Sequence, residues 1–144
     1  MLDWRAEMVI DHGVLDDDHR QTHELIRRFL ALPGDDDQRA RATALLERLR
    51  DLSLQHFARE EKVQMAIRYP LLDEHRAQHR RMIVLLSEII EQVEARESAF
   101  SFGYAKSKAD QLLPFWFMEH LAKADLALKL HIAKTPTVMR ALAR

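Results

Sequence analysis

The sequence predicts an all-α protein, an up-down-up-down antiparallel four-helix bundle with an N-terminal arm. Three observations lead there. Only three glycines and four prolines occur in 144 residues, too few for the frequent turns of a β-rich chain. Four segments carry apolar side chains at the three- and four-residue spacing of one helix face. The segments are joined by short connections, which favour antiparallel neighbours. This length suits one core, so a single domain over 1–144 is expected, with 1–15 as the arm, about 16–133 as the bundle and 134–144 as a tail.

The first helix is expected to begin at Asp16-Asp17-Asp18, whose carboxylates suit a helix N-terminus as caps and as negative charge. It carries Leu25, Ile26, Phe29 and Leu30 inward and stops before Pro33-Gly34. The second runs from about Asp37 to Ile67, with Leu45, Leu46, Leu49, Leu52, His56 and Val63 on a broad stripe, until Tyr69-Pro70 ends it. The third, from about Leu71 to Arg96, buries Met82, Ile83, Leu86, Ile89, Ile90 and Val93. A loop over Ser98 to Gly103 leads to the fourth, about Tyr104 to Ala133, with Leu112, Leu113, Trp116, Phe117, Leu121, Leu128 and Ile132 inward. Pro114 is expected to kink this helix or to start a fresh turn.

Composition removes whole classes of function. A formal net charge of -1 offers no basic face to nucleic acid. The absence of cysteine excludes disulfides, iron–sulfur clusters and thiolate zinc sites, so any metal must sit on nitrogen and oxygen. No apolar run is long enough to cross a membrane, and the charged start MLDWRAEMVIDH does not read as a secretory signal. A cytoplasmic protein, monomeric by default, is the expectation. Trp4 on the arm reads as a packing anchor.

Eight histidines are the unusual count. His75 and His79 lie four residues apart, and so do His56 and Glu60, which puts each pair on one helix face. The first segment adds His19 and the fourth adds His120, with Asp125 following it. Histidine and carboxylate donors from all four helices suit a pair of iron ions held in the bundle core better than one tetrahedral zinc. Burying so many polar groups without a metal would cost roughly 1 to 3 kcal/mol each. Two positions stay open on spacing alone. Asp125 lies about 140° around a regular helix from His120 and shares its face only if a π-type turn intervenes. His23, one turn beyond His19, is a rival ligand. His12 and His131 read as structural or solvated.

Longer motifs contain these residues: L-D-D-D-H at Leu15 to His19, H-F-A-R-E-E at His56 to Glu61, with Met65 and Tyr69-Pro70 beyond it, H-R-A-Q-H at His75 to His79, and W-F-M-E-H-L-A-K-A-D at Trp116 to Asp125. Together they resemble the hemerythrin family, and the bacterial hemerythrins in particular, over almost the whole chain. The resemblance implies that His75, His79 and His120 bind one iron, that His19 and His56 bind the other, and that Glu60 and Asp125 bridge them with an oxo or hydroxo group. It implies an open position for dioxygen on the two-histidine iron, in a pocket formed by Phe57, Trp116, Phe117 and Leu121. Thr22 and His23 depart from the pattern, standing where the family usually has bulky apolar residues. His23 is therefore included among the pocket residues.

The function expected is dioxygen binding, for storage, delivery or sensing, and not catalysis. Alternative readings are a di-iron peroxidase or oxidase in which His23 assists at the oxygen site, a sensory module of a signalling protein, and iron storage without oxygen chemistry.

Overall fold

Residues 13–95 and 101–132 are described by a computed structural model of the chain. The arm with Trp4 and the tail beyond residue 133 lie outside the described residues, among which four helices and no strand occur. Helix α1 spans Val14–Ala31, α2 Arg39–Ala66 and α3 Leu72–Glu94, while α4 (Phe102–His120) continues through a π-helical turn at Leu121–Asp125 into α5 (Leu126–Ile132). α2 packs along both α1 and α3, and α4 against α3 and α1, which makes a helical bundle around one core.

Local chemistry explains the boundaries, and several differ from expectation. α1 begins at Val14, with Gly13 before it and no side-chain cap, and Asp16 and Asp17 add negative charge to the first turn. The α1–α2 connection holds a 3₁₀ turn, Asp36–Gln38, and α2 starts after it. α2 ends through Arg68, whose φ of 54° is left-handed, with the Tyr69 amide closing onto the Gln64 carbonyl at 2.8 Å. A non-glycine residue there costs about 1–2 kcal/mol of backbone strain, and no glycine marks the stop in the sequence. α4 begins at Phe102, two residues early, because Ser101 caps it by accepting from the Tyr104 amide at 3.2 Å. Gly103 is thus helical; a Cβ there would stand 3.2 Å from the Gly34 carbonyl oxygen, so two glycines let the α1–α2 loop sit close on α4. α4 continues unbroken through Pro114.

The core divides along the bundle. One end is apolar, built on Ile26, Phe29, Ala42, Leu46, Leu49, Leu86, Ile90, Val93, Phe102 and Ala109; each large side chain there contributes roughly 1.5–3 kcal/mol by burial. The other end buries histidines and carboxylates. Leu112, expected inside, is 40% exposed, because Leu113 takes the inward position on α4.

One cation sits inside the apolar end. Lys106 is buried with its Nζ 2.6 Å from Asp110 Oδ1 and 4.6 Å from the centre of the Phe29 ring. Asp110 is half-buried, and burial outweighs the lysine's help, so its pKa is raised. Removing the partner leaves a desolvated ammonium, whereas replacing the ammonium by a thioether leaves a filled core. Asp110→Ala is expected to lose about 2–3 kcal/mol in urea denaturation and Lys106→Met less than about 1 kcal/mol. Equal losses would show that the pair is not what Asp110 contributes.

Candidate metal centre

Helical spacing performs the first step of assembly. His56 and Glu60 stand one turn apart on α2, His75 and His79 one turn apart on α3, and each pair faces inward. His19 enters from α1 and His120 from the end of α4. Asp125 reaches the same place because Leu121–Asp125 is a π-helical turn. The wider i→i+5 winding brings residues five apart onto one face, and Asp125 Oδ1 stands 3.1 Å from His120 Nε2.

The seven side chains form two groups with two members in common. Glu60, His75, His79, His120 and Asp125 make one; His19, His56, Glu60 and Asp125 make the other; within each, the candidate ligand atoms lie within 4.8 Å of one another. Donors on opposite sides of one ion at roughly 2.1 Å are about 4.2 Å apart, so each group has the size of a single coordination sphere.

Each shared carboxylate gives one oxygen to each group. Glu60 Oε1 is 2.7 Å from His75 Nε2 and 3.3 Å from His79 Nε2, while its Oε2 is 3.1 Å from His56 Nε2 and 4.0 Å from His19 Nε2. Asp125 Oδ1 faces His75 and His120 at 3.0 and 3.1 Å, and its Oδ2 faces His19 at 3.1 Å.

Despite these short distances, Nε2 of His19, His56 and His79 and Oε2 of Glu60 are buried without a hydrogen bond. His75 Nε2 and His120 Nε2 stand only 3.1 Å apart. Their lone pairs converge on common points, and cations there satisfy groups that otherwise cost about 1–3 kcal/mol each. A donor set of imidazole and carboxylate without thiolate suits iron.

A family model, the hemerythrin HHE cation binding domain, matches residues 11–132. The chain belongs to the hemerythrin family. No curated protein and no solved structure matches it significantly.

In this hemerythrin the outer ring nitrogens are anchored unequally. His56 Nδ1 is 3.1 Å from Asp18 Oδ2, and Arg59 grips that carboxylate with two hydrogen bonds of 2.7 and 2.6 Å. His79 Nδ1 is 3.0 Å from Glu61 Oε2, and Arg76 donates to the other oxygen of Glu61 at 3.0 Å. The Gln64 carboxamide is 2.6 Å from His75 Nδ1. His19 Nδ1 is buried without a hydrogen bond. With Nε2 turned to a metal, Nδ1 carries the ring proton, and the carboxylates of Asp18 and Glu61 fix ring orientation and raise ligand basicity. Sequence reasoning gave Asp18 a capping role, left Arg59, Glu61 and Arg76 inside motifs without a role of their own and passed over Gln64. The available signal was a carboxylate or amide next to, or one turn from, a ligand.

A small cavity of about 20 Å³ adjoins both histidines of the smaller group, room for about one water-sized molecule. Phe57, Trp116 and Phe117 line it, together with Thr22, Ser53 and Met82. Leu121 and His23 are buried but are not among its lining residues. The His23 ring lies edge-on to Phe117, centroids 6.3 Å apart, and belongs to neither ligand group. The Thr22 hydroxyl donates to the Asp18 carbonyl at 3.0 Å, so its proton is already engaged.

Without metal the centre is an ionic cluster. Burial alone would lower the His56 pKa, but Asp18 and Glu60 outweigh it and raise it to about 10; His75, likewise buried, is raised to about 9 by Asp125 and Glu60. Burial pushes the Glu60 and Asp125 carboxyls up, and the surrounding histidines more than reverse this, holding both well below the usual range. Raised histidines stabilise fully below about pH 6.5 and progressively less as pH climbs toward 9–10; depressed carboxylates stabilise above about pH 4 and fail below it. The metal-free protein should therefore melt at a lower temperature near pH 9 than near pH 6. Metal uptake near pH 7 should release about two protons in a weakly buffered titration. A higher melting temperature at the alkaline end would contradict the cluster.

Arg59 is partly exposed, so its loss should spare the fold. Arg59→Ala frees Asp18 and should weaken metal affinity, measured by chelator competition, by about 10- to 100-fold, with Arg59→Lys intermediate. Unchanged affinity in the alanine variant would remove Asp18 from the metal's support.

Proposed function

We propose that this hemerythrin holds two iron ions, bridged by Glu60, Asp125 and an oxo or hydroxo group, and binds dioxygen for storage, delivery or sensing without catalysing turnover. The observation that carries this reading is the unequal pair of ligand groups joined by two carboxylates. His75, His79 and His120 would saturate one ion, while His19 and His56 leave the other a position to spare, and the cavity lies against both of those two histidines and only His120 of the other three. When bound, the irons supply the electrons that hold dioxygen.

The chain's own residues supply the rest. Asp18 and Glu61 keep His56 and His79 in the tautomer that presents Nε2 inward. Phe57, Trp116 and Phe117 exclude water from most of the cavity wall, which slows protonation and loss of the bound ligand. The cavity size suits a diatomic molecule better than an organic substrate. His23, the residue on which the enzymic alternative rests, does not line the cavity, which favours binding over turnover.

We read the bundle as up-down-up-down. Site residues lie near the start of α1 and α3 and near the ends of α2 and α4, as alternating helices require if all seven are to meet at one level. We further place the protein in the cytoplasm, which the lack of cysteine supports. No helix among the described residues is long and apolar enough to cross a membrane.

Reconstitution with ferrous salt should load two irons per chain. Admitting air should then produce charge-transfer absorption that fades under vacuum and returns. His19→Ala should retain about one iron and give no such species. Loading of well under two irons in the unmodified protein, or a spectrum unmoved by air, would overturn the reading.

A further inference from the structure

We infer that the Met82 side chain is the door through which small neutral molecules pass between solvent and the buried cavity, by way of the groove between α3 and α4. The proposal takes its ligand from the dioxygen reading, but the route follows from packing alone.

Three of the surface grooves along the described helices relate differently to the cavity. The α1–α2 groove, about 450 Å³, has no wall residue in common with it. The α2–α3 groove, about 500 Å³, shares only Phe57. That ring is stacked on His79, centroids 3.9 Å apart and planes 6° from parallel, so it closes its side firmly. The α3–α4 groove, about 300 Å³, shares three residues with the cavity: Met82, Trp116 and His120. One layer of side chains separates solvent from the cavity there.

Two of those three are held. His120 is engaged with Asp125 in the larger ligand group. The Trp116 indole Nε1 donates to the Met82 carbonyl at 3.1 Å, which ties α4 to α3 at this wall and fixes the indole. The third is the half-buried Met82 side chain, unbranched and with three rotatable bonds, which changes rotamer without moving the backbone that Trp116 grips. Outside it the groove offers Leu85 and Phe115 beside Gln78 and Arg81, and its Glu119 and Lys123 are paired with each other at 2.9 Å. Leu85 and Phe115 give small apolar molecules a surface to follow up to Met82.

The test uses the full chain and two probes. Xenon exchange, followed by NMR in the metal-free protein, reports the route without iron. Dioxygen association with the reduced, iron-loaded protein reports it in the working state. Met82→Ala should speed both by roughly tenfold, and Leu85→Trp, which fills the α3–α4 groove, should slow both by a similar factor. Val84→Trp, which fills the α2–α3 groove, should change neither. The door is refuted if Met82→Ala and Leu85→Trp leave both rates unchanged, or if Val84→Trp slows them as much. If no variant forms an oxygenated species while xenon still responds, the functional reading fails and the door stands.

Discussion

Two carboxylates shared between two clusters of imidazoles are the constraint on which the rest of this hemerythrin depends. Glu60 and Asp125 are almost wholly buried, and each turns one oxygen to each histidine group. Such a cluster is tolerable inside a bundle only if opposite charge fills it. Protonated His56 and His75 can balance the two carboxylates when metal is missing, and divalent cations can do so when present. One end of the core is therefore committed to ions, and the packing energy of the fold comes from the other end, where Leu46, Leu86, Phe29 and Phe102 are sealed from water.

The support around the centre is graded. His56 and His79 are each backed by a carboxylate that an arginine holds in place, while His75 leans on a neutral carboxamide. His19 has no such backing at Nδ1. The smaller group thus joins one histidine held at its outer nitrogen to one whose Nδ1 has no partner, next to the cavity. That asymmetry gives the proposed open position a softer wall on α1 and a rigid one on α2, with Arg59 bridging solvent and His56 through Asp18.

Much of this arrangement was legible in the residues. Recurrence every three or four positions marks four helices, and a donor one turn from another donor on α2 or α3 must share its face whatever the tertiary structure. Seven ligand types spread over four amphipathic segments lead to a buried metal centre, since nothing cheaper satisfies them. The family's motifs pointed to the same seven residues, which lie together in two groups.

Other features needed the folded chain, because they depend on backbone geometry or on neighbours distant in sequence. Asp125 faces inward only through the π turn, which no residue type at Leu121–Asp125 announces. The stop of α2 rests on a left-handed Arg68 where glycine would have signalled it. Asp18 reads as a cap until helix α1 starts earlier and α2 brings Arg59 and His56 to it across some forty residues. Thr22, Ser53 and Met82 border the small cavity without any mark in the sequence, since which neighbour on a helix borders a cavity is set by the rotation of that helix against the other three. Sequence by itself determined the helices and the donors, because both follow from residue type and spacing; tertiary packing decided which side chains hold those donors in place and which ones surround the space beside them.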